Sequence, residues 1–428
     1  MDIQKQSTKF VKPATPTPLT FHHYKLGFID DCAPSFNISV VFFYSVDIKD
    51  NPNFVSKLEK SLEKTLPRFY PLAGRYHEED RVIECLDQGV ELIHAKVTSI
   101  KYEDIVGSEV NLRLVDEFIP SALGALDQVT DPLLSIQVTT FEHGGMALGV
   151  SISHRVGDTA TLFIFLNEWA AISRGEELPH GSGFNSATFF PARGSTTPIF
   201  FPRTKSGDNM YRSTFVTKKL SFSESEISYL RDKMIVGNDR QCFSKVQMVS
   251  ALIWKALIEI DQRTNGGYPP RCCVLLWAIN LRGKSTSLIP SDSCGNLSSS
   301  LAAKCETNIE TVESLARVVR KSVKDFMDSY SKVRHDNEQL QTMVVKNSSY
   351  KTTIPPTATK IGLTSWCKFP YYQLDFGFGK PIWVNRGRAI AKNVFYLMDD
   401  VGGNGIEAYV GVEPKDVPYF EQALNIKA

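Results

Sequence analysis

Apolar positions along the chain fall into runs whose period switches between helix-like and strand-like. Phe54, Leu58, Leu62 and Leu66 repeat every fourth residue, with Lys57, Glu59, Lys60, Glu63 and Lys64 on the other faces. That spacing predicts an amphipathic helix over 53–66, which Pro67 ends. The apolar, β-branched and aromatic run 38–44 predicts a buried strand, and 81–84 and 90–94 predict short strands after a turn. Residues 12–18 hold three prolines and predict an extended entry segment. The run 146–153 predicts a strand. Behind it, an apolar stretch to about 173 predicts a helix, capped by Asp158 or Thr159.

Between about 182 and 213 the helical period disappears and Gly, Pro, Ser and Thr dominate. This predicts a crossover linker between two halves, 1–181 and 214–428. The second half predicts helices near 223–232 and 243–261 and a strand over 272–279. A long helix over 310–333 follows, with Val312, Leu315, Val319, Val323, Phe326 and Met327 on one side. Residues 347–359 read as a flexible loop. Strands are expected at 362–366, 375–379, 382–385, 394–398 and 406–412, separated by glycine turns. Helices and strands mix without a strict βαβ rhythm, so the fold class is α/β of the mixed α+β kind.

Composition narrows the partners rather than the activity. Lys+Arg is 48 and Asp+Glu 47 over 428 residues, a formal charge of +1. Such a balance carries no electrostatic footprint for nucleic acid or an anionic membrane. No stretch reaches the ~18 apolar residues of a membrane span. The apolar run 162–172 is broken by Asn167 and Glu168, and residues 1–20 lack the apolar core of a secretory signal. Eight cysteines lie scattered without a Cys-x-x-Cys pair, so free thiols in the cytosol are expected and no metal site is.

Candidate chemistry concentrates at one turn. His154-Arg155-Val156-Gly157-Asp158 follows the predicted strand and opens the predicted helix. A histidine there is held rigidly, and its ordinary pKa of ~6.5 suits proton transfer. A bare His-x-x-x-Asp is short and common, and a satisfied histidine in a capped turn accounts for most examples. No Gly-x-Ser-x-Gly elbow, Walker loop or His-Glu-x-x-His accompanies it.

Four further motifs change that balance: Tyr70-Pro71-Leu72-Ala73-Gly74-Arg75, Asn280-Leu281-Arg282-Gly283-Lys284, Thr364-Ser365-Trp366 and Asp375-Phe376-Gly377-Phe378-Gly379. With the His154 motif between the first two, the chain closely resembles the plant BAHD acyl-CoA-dependent acyltransferases over nearly its whole length. The resemblance runs from the Pro-Thr-Pro segment at 16–18 to Gly405-Ile406-Glu407-Ala408. One departure is Phe378, where the family usually has tryptophan; the aromatic plane stays and the indole donor goes.

The resemblance implies two chloramphenicol acetyltransferase-like lobes with a channel between them, working as a monomer. It implies an acyl-CoA co-substrate, acetyl-CoA in the branch most similar to this chain, and no permanently bound cofactor. The acceptor would be a small alcohol of plant specialised metabolism. Hydroxycinnamoyl, malonyl or benzoyl donors, an amine acceptor, and a non-catalytic binding relative are the alternatives. His154 is the implied general base in a ternary complex, with Trp366 and Thr364 as oxyanion donors. Asp158 is implied to pair with Arg282, and Asp375 with Gly377 and Gly379 to hold a loop. Ser244, Lys245, Ser250 and Lys284 are candidates for CoA, with Arg282 beside them. The acceptor pocket is expected from 31–36, the region after His154, and 347–362.

Overall fold

The computed structural model describes residues 2–46, 53–106, 112–121, 128–181, 183–192, 215–234, 243–264, 266, 272–284, 288–306, 311–333, 337–348, 354–355 and 357–424. Most of the expected linker, and Cys242, lie outside the described residues.

Two six-stranded mixed sheets organise the chain. The first runs Ile3–Val11, Val90–Val97, Leu134–Phe141, Met146–Ser153, Asn37–Tyr44, Trp383–Asn385. Its neighbours pair antiparallel except Val90–Val97 with Leu134–Phe141. Met146–Ser153 and Leu134–Phe141 are buried at every position. Both faces are covered, so the positions that alternate with the large apolar residues, such as Ser135, Gln137, Gly149 and Ser151, are buried as well.

The second sheet runs Val216–Phe222, Ile406–Val412, Val394–Asp399, Thr359–Ser365, Cys272–Asn280, Ser298–Glu306. Thr359–Ser365 is parallel to both of its neighbours. Trp383–Asn385 leaves this half and pairs with Val41 to Phe43 at the edge of the first sheet. A small parallel pair, Gly183–Phe184 with Ser293–Cys294, ties residues just after 181 to the second half.

Helix Thr159–Ser173 is buried on nearly all sides, as an apolar helix without a polar face must be. It packs on Phe54–Thr65, where the Trp169 indole donates to Ser61 Oγ at 3.0 Å and Leu58 O at 3.3 Å. Lys245–Thr264 and Val312–Lys332 pair in the same way in the second half. No described helix is long and apolar enough to cross a membrane.

Some expected elements differ. Residues 375–379 form a glycine loop, because Asp375 Oδ1 accepts from Gly377 N at 2.7 Å and Gly379 N at 3.0 Å. Both glycines hold positive φ, which a strand does not allow. Helix Asn337–Ser348 occupies the start of the expected loop, and the extended entry begins earlier, with the strand Ile3–Val11.

Candidate active site

Strand Met146–Ser153 delivers His154 to a turn that both halves of the chain fix. The His154 amide donates to Phe36 O at 3.0 Å, and Val156 N closes back on Ser153 O. The Phe36 ring meets the imidazole edge-on, centroids 5.7 Å apart. Gly157 is required by space: a Cβ there would lie 2.7 Å from Thr161 Cγ2.

Asp158 then caps the helix, accepting from Thr161 N at 3.0 Å. Its other contacts come from the second half. Arg282 Nη1 and Nη2 donate to the two carboxylate oxygens at 2.9 Å each, and Leu297 N donates at 3.0 Å. Arg282 spends its remaining donors on Ser293 O, Asn280 Oδ1, Thr161 Oγ1 and Gly295 O. Burial alone would raise the Asp158 carboxyl; the Arg282 guanidinium and the two amides outweigh it and hold it below the ordinary range. The two form a buried, two-pronged ion pair, with the carboxylate facing Arg282.

A second brace lies on the other side of the turn. Asn296 Nδ2 donates to His154 O at 2.8 Å and to Asp30 Oδ1 at 2.9 Å, and Asn296 N donates to the same oxygen at 2.6 Å. Asp30 also accepts from Gly27 N and Ser186 Oγ, and Ser186 Oγ meets Tyr24 OH at 2.8 Å. Burial pushes the Asp30 carboxyl up to about 6, against these hydrogen bonds. Sequence reasoning missed this group. Asp30 lies just before the expected acceptor region, and Asn296 lies 266 residues further on, outside every motif named above.

Trp366 follows strand Thr359–Ser365 and is 1% exposed. Its backbone N donates to Leu397 O at 2.7 Å, while its buried indole Nε1 has no acceptor among the described residues. Phe163, on the helix that His154 precedes, meets the indole edge-on at 6.0 Å. Thr364, half-buried, lies opposite Tyr396 in the sheet.

The remaining candidates divide. The Asp375 loop is clamped to the first half: Ser173 Oγ donates to Phe376 O, Tyr44 OH to Leu374 O and Arg174 to Asp375 O. Phe378 packs there against Tyr44 and Phe54 and stacks on Phe376. Lys245 Nζ is occupied by Asp399 Oδ1 at 2.7 Å and by two loop carbonyls. Ser244 exchanges hydrogen bonds with Gln247 at the helix start, and Ser250 is fully buried. Lys284 is half-buried; burial, then the charge of Lys368, keeps its ammonium below the ordinary range. Lys368 is a neighbour that sequence reasoning did not single out.

The sequence profile described as the Transferase family matches residues 1–426. A pelargonidin 3-O-(6-caffeoylglucoside) 5-O-(6-O-malonylglucoside) 4'''-malonyltransferase from Salvia splendens is 32% identical over all of this chain and 99% of its own length. The chain belongs to the BAHD acyltransferases. This BAHD chain is also 30% identical to vinorine synthase from Rauvolfia serpentina, over 95% of this chain and 93% of that one. The crystal structure of vinorine synthase superposes with a TM-score of 0.83, at 28% identity, over 98% of this chain and 96% of that one. The present chain is an acyl-CoA-dependent acyltransferase of plant specialised metabolism, and relatives named for acetyl and for malonyl transfer both resemble it.

Proposed function

We propose that this BAHD chain moves an acetyl group from acetyl-CoA to a hydroxyl of a plant specialised metabolite. The observation that carries the reading is the double bracing of one histidine. The turn after His154 is locked by Asp158–Arg282, and its carbonyl by Asn296–Asp30. A base held that firmly is positioned for one proton. The His154 imidazole takes it from the acceptor hydroxyl, and the alkoxide attacks the thioester carbonyl. The tetrahedral oxyanion receives the Trp366 N–H, which has no other acceptor among the described residues, and the Thr364 hydroxyl. The intermediate collapses, CoA thiolate leaves, and the imidazolium returns the proton. No acyl-enzyme forms.

Lys284 and Lys368 supply cations for the CoA phosphates, and Phe36 with the loops beside it borders the acceptor. The halves 1–181 and 214–428 act as the two lobes, joined by the crossover 182–213. A monomer suffices for this site, since Asp158 and Arg282 meet within one chain, and its scattered thiols suit the cytosol. Malonyl-CoA is the second reading for the donor, which the Salvia relative favours.

The test is thiol release from acetyl-CoA or malonyl-CoA with a panel of alcohols and amines. His154→Ala should lower kcat by about 10²–10⁴-fold. Turnover near wild type in that variant overturns the mechanism, and release that no acceptor stimulates overturns the transferase reading.

A further inference from the structure

Arg386 is a buried cation without an ion-pair partner among the described residues. It follows the crossing strand Trp383–Asn385, and the chain around it is pinned. Asn385 Oδ1 accepts from Gly387 N at 2.8 Å and its Nδ2 donates to Tyr409 OH at 2.9 Å. Arg388 pairs with Asp116, and Ala389 N donates to Thr217 Oγ1 at 2.9 Å. The Arg386 side chain therefore points inward, and the residue is 4% exposed.

Its guanidinium lies on the Tyr396 ring, Cζ 3.4 Å from the centroid, and 5.6 Å from the centroid of Trp366. Nη1 donates one long hydrogen bond to Arg388 O at 3.3 Å, and the Tyr396 hydroxyl accepts from the guanidinium as well. Nε is buried with no acceptor, and no carboxylate among the described residues forms an ion pair with it. Burial holds its pKa below the ordinary value, against the favourable influence of Tyr396, Tyr409 and Asp116.

Arg282 provides the internal comparison. It is as deeply buried, yet its Nε, Nη1 and Nη2 all have close acceptors, including both Asp158 oxygens. Stacking on aromatic faces returns only part of what it costs to take a guanidinium out of water. Nε, on one edge of the planar fork, is the donor left without an acceptor among the described residues, and a planar two-oxygen acceptor matches that edge. The partnerless Trp366 N–H belongs to the ring that the same guanidinium covers.

We propose that Arg386 binds a carboxylate carried by one of the two substrates, seated beside the Trp366 indole. The proposal rests on the reading that Trp366 faces the transfer centre. The carboxylate belongs either to a hydroxy-acid acceptor or to a dicarboxylic acyl group such as malonyl.

The experiment uses the full chain, Arg386→Met and Arg386→Lys. One arm compares malonyl-CoA with acetyl-CoA. The other compares quinate and mandelate with their methyl esters. Each arm is read by ligand-induced thermal shift and by thiol release. The wild type should prefer the carboxylate partner at least tenfold in one arm, Arg386→Met should abolish that preference, and Arg386→Lys should keep part of it. The arm that responds identifies the carrier. No preference in either arm, or one that survives Arg386→Met, overturns the proposal. Without ligand, Arg386→Met should melt at or above the wild-type temperature; a fall of several degrees makes Arg386 structural and also overturns it. An Arg386-dependent shift without thiol release would sustain this site while refuting the transferase reading. His154→Ala should keep the shift and lose the release.

Discussion

Asp158→Ala strands a charge, and the size of the effect follows from the contacts. The carboxylate accepts five hydrogen bonds: two from Arg282, one from Leu297 N and two from Thr161. Its removal leaves the Arg282 side chain, 2% exposed, without its anion. Breaking such a buried pair from one side costs about 3–5 kcal/mol. Loss of the helix cap adds about 1 kcal/mol. The sum is a large part of the roughly 5–15 kcal/mol that holds a domain folded. For a chain of this length a kcal/mol moves the melting temperature by about 1 °C, so a fall of about 5 °C is expected. Asp158→Ala/Arg282→Met strands no charge and should recover part of the loss, giving a coupling energy of about 1–3 kcal/mol in a double-mutant cycle. The pH dependence has a definite sign. The Asp158 carboxyl lies below its ordinary value when folded, so its contribution is full above the unfolded carboxylate range and disappears as pH falls through the lower folded value. Thermal melts and denaturant titrations measure stability, and thiol release measures turnover. If Asp158→Ala melted like wild type but had lost all turnover, the carboxylate would be a direct participant in the chemistry and the bracing argument would be wrong.

Trp366→Phe keeps an aromatic ring and removes the donor. It should cost about 10²–10³ in kcat. Losing a buried N–H that has no acceptor offsets the lost ring volume, so the melting temperature should move by no more than about 2 °C; an unchanged kcat would make Trp366 a packing residue. Asp30→Asn tests the second brace. Burial raises the Asp30 carboxyl from 3.8 to about 6, so its contribution to stability is full below the unfolded value and is lost as pH rises through about 6. The loss is on the order of 3 kcal/mol. Denaturant midpoints between pH 4 and 7 should carry that falling slope in the wild type and lack it in Asp30→Asn. Parallel curves would refute the assignment.

What the sequence exposes is local. Strand Met146–Ser153 and helix Thr159–Ser173 were legible at both ends because an apolar run changes period across one capping residue. Strand Ile3–Val11 was not. Its residues are mostly exposed and polar, and pairing with Val90–Val97 alone makes it a strand. The Asp375 segment read as a strand because its aromatics alternate with glycines; the side chain of Asp375 folds it back instead. Helix Asn337–Ser348 has a weak pattern of buried positions, Leu340, Met343 and Val344, too short to override its polar neighbours. In the site, His154 and its motif partners were visible through the family resemblance. Asp30 and Asn296, 266 residues apart, carry no pattern in either segment that points to the other. Arg386 likewise looks like an ordinary turn cation until its burial is known.

The braces have a consequence for motion. Arg282, Gly295, Asn296 and Leu297 of the second half hold Asp158, Thr161 and the His154 carbonyl of the first. Cohesion between the halves and the position of His154 are thus the same set of bonds. A motion that separated the halves at this point would misplace His154 and expose a charge that nothing else compensates. Any opening that admits substrate must therefore pivot about this contact. Variants at Asn296 or Arg282, remote in sequence from the base, should lower turnover and melting temperature together, whereas His154→Ala lowers turnover alone. That divergence separates a positioning role from a chemical one without knowledge of the natural acceptor.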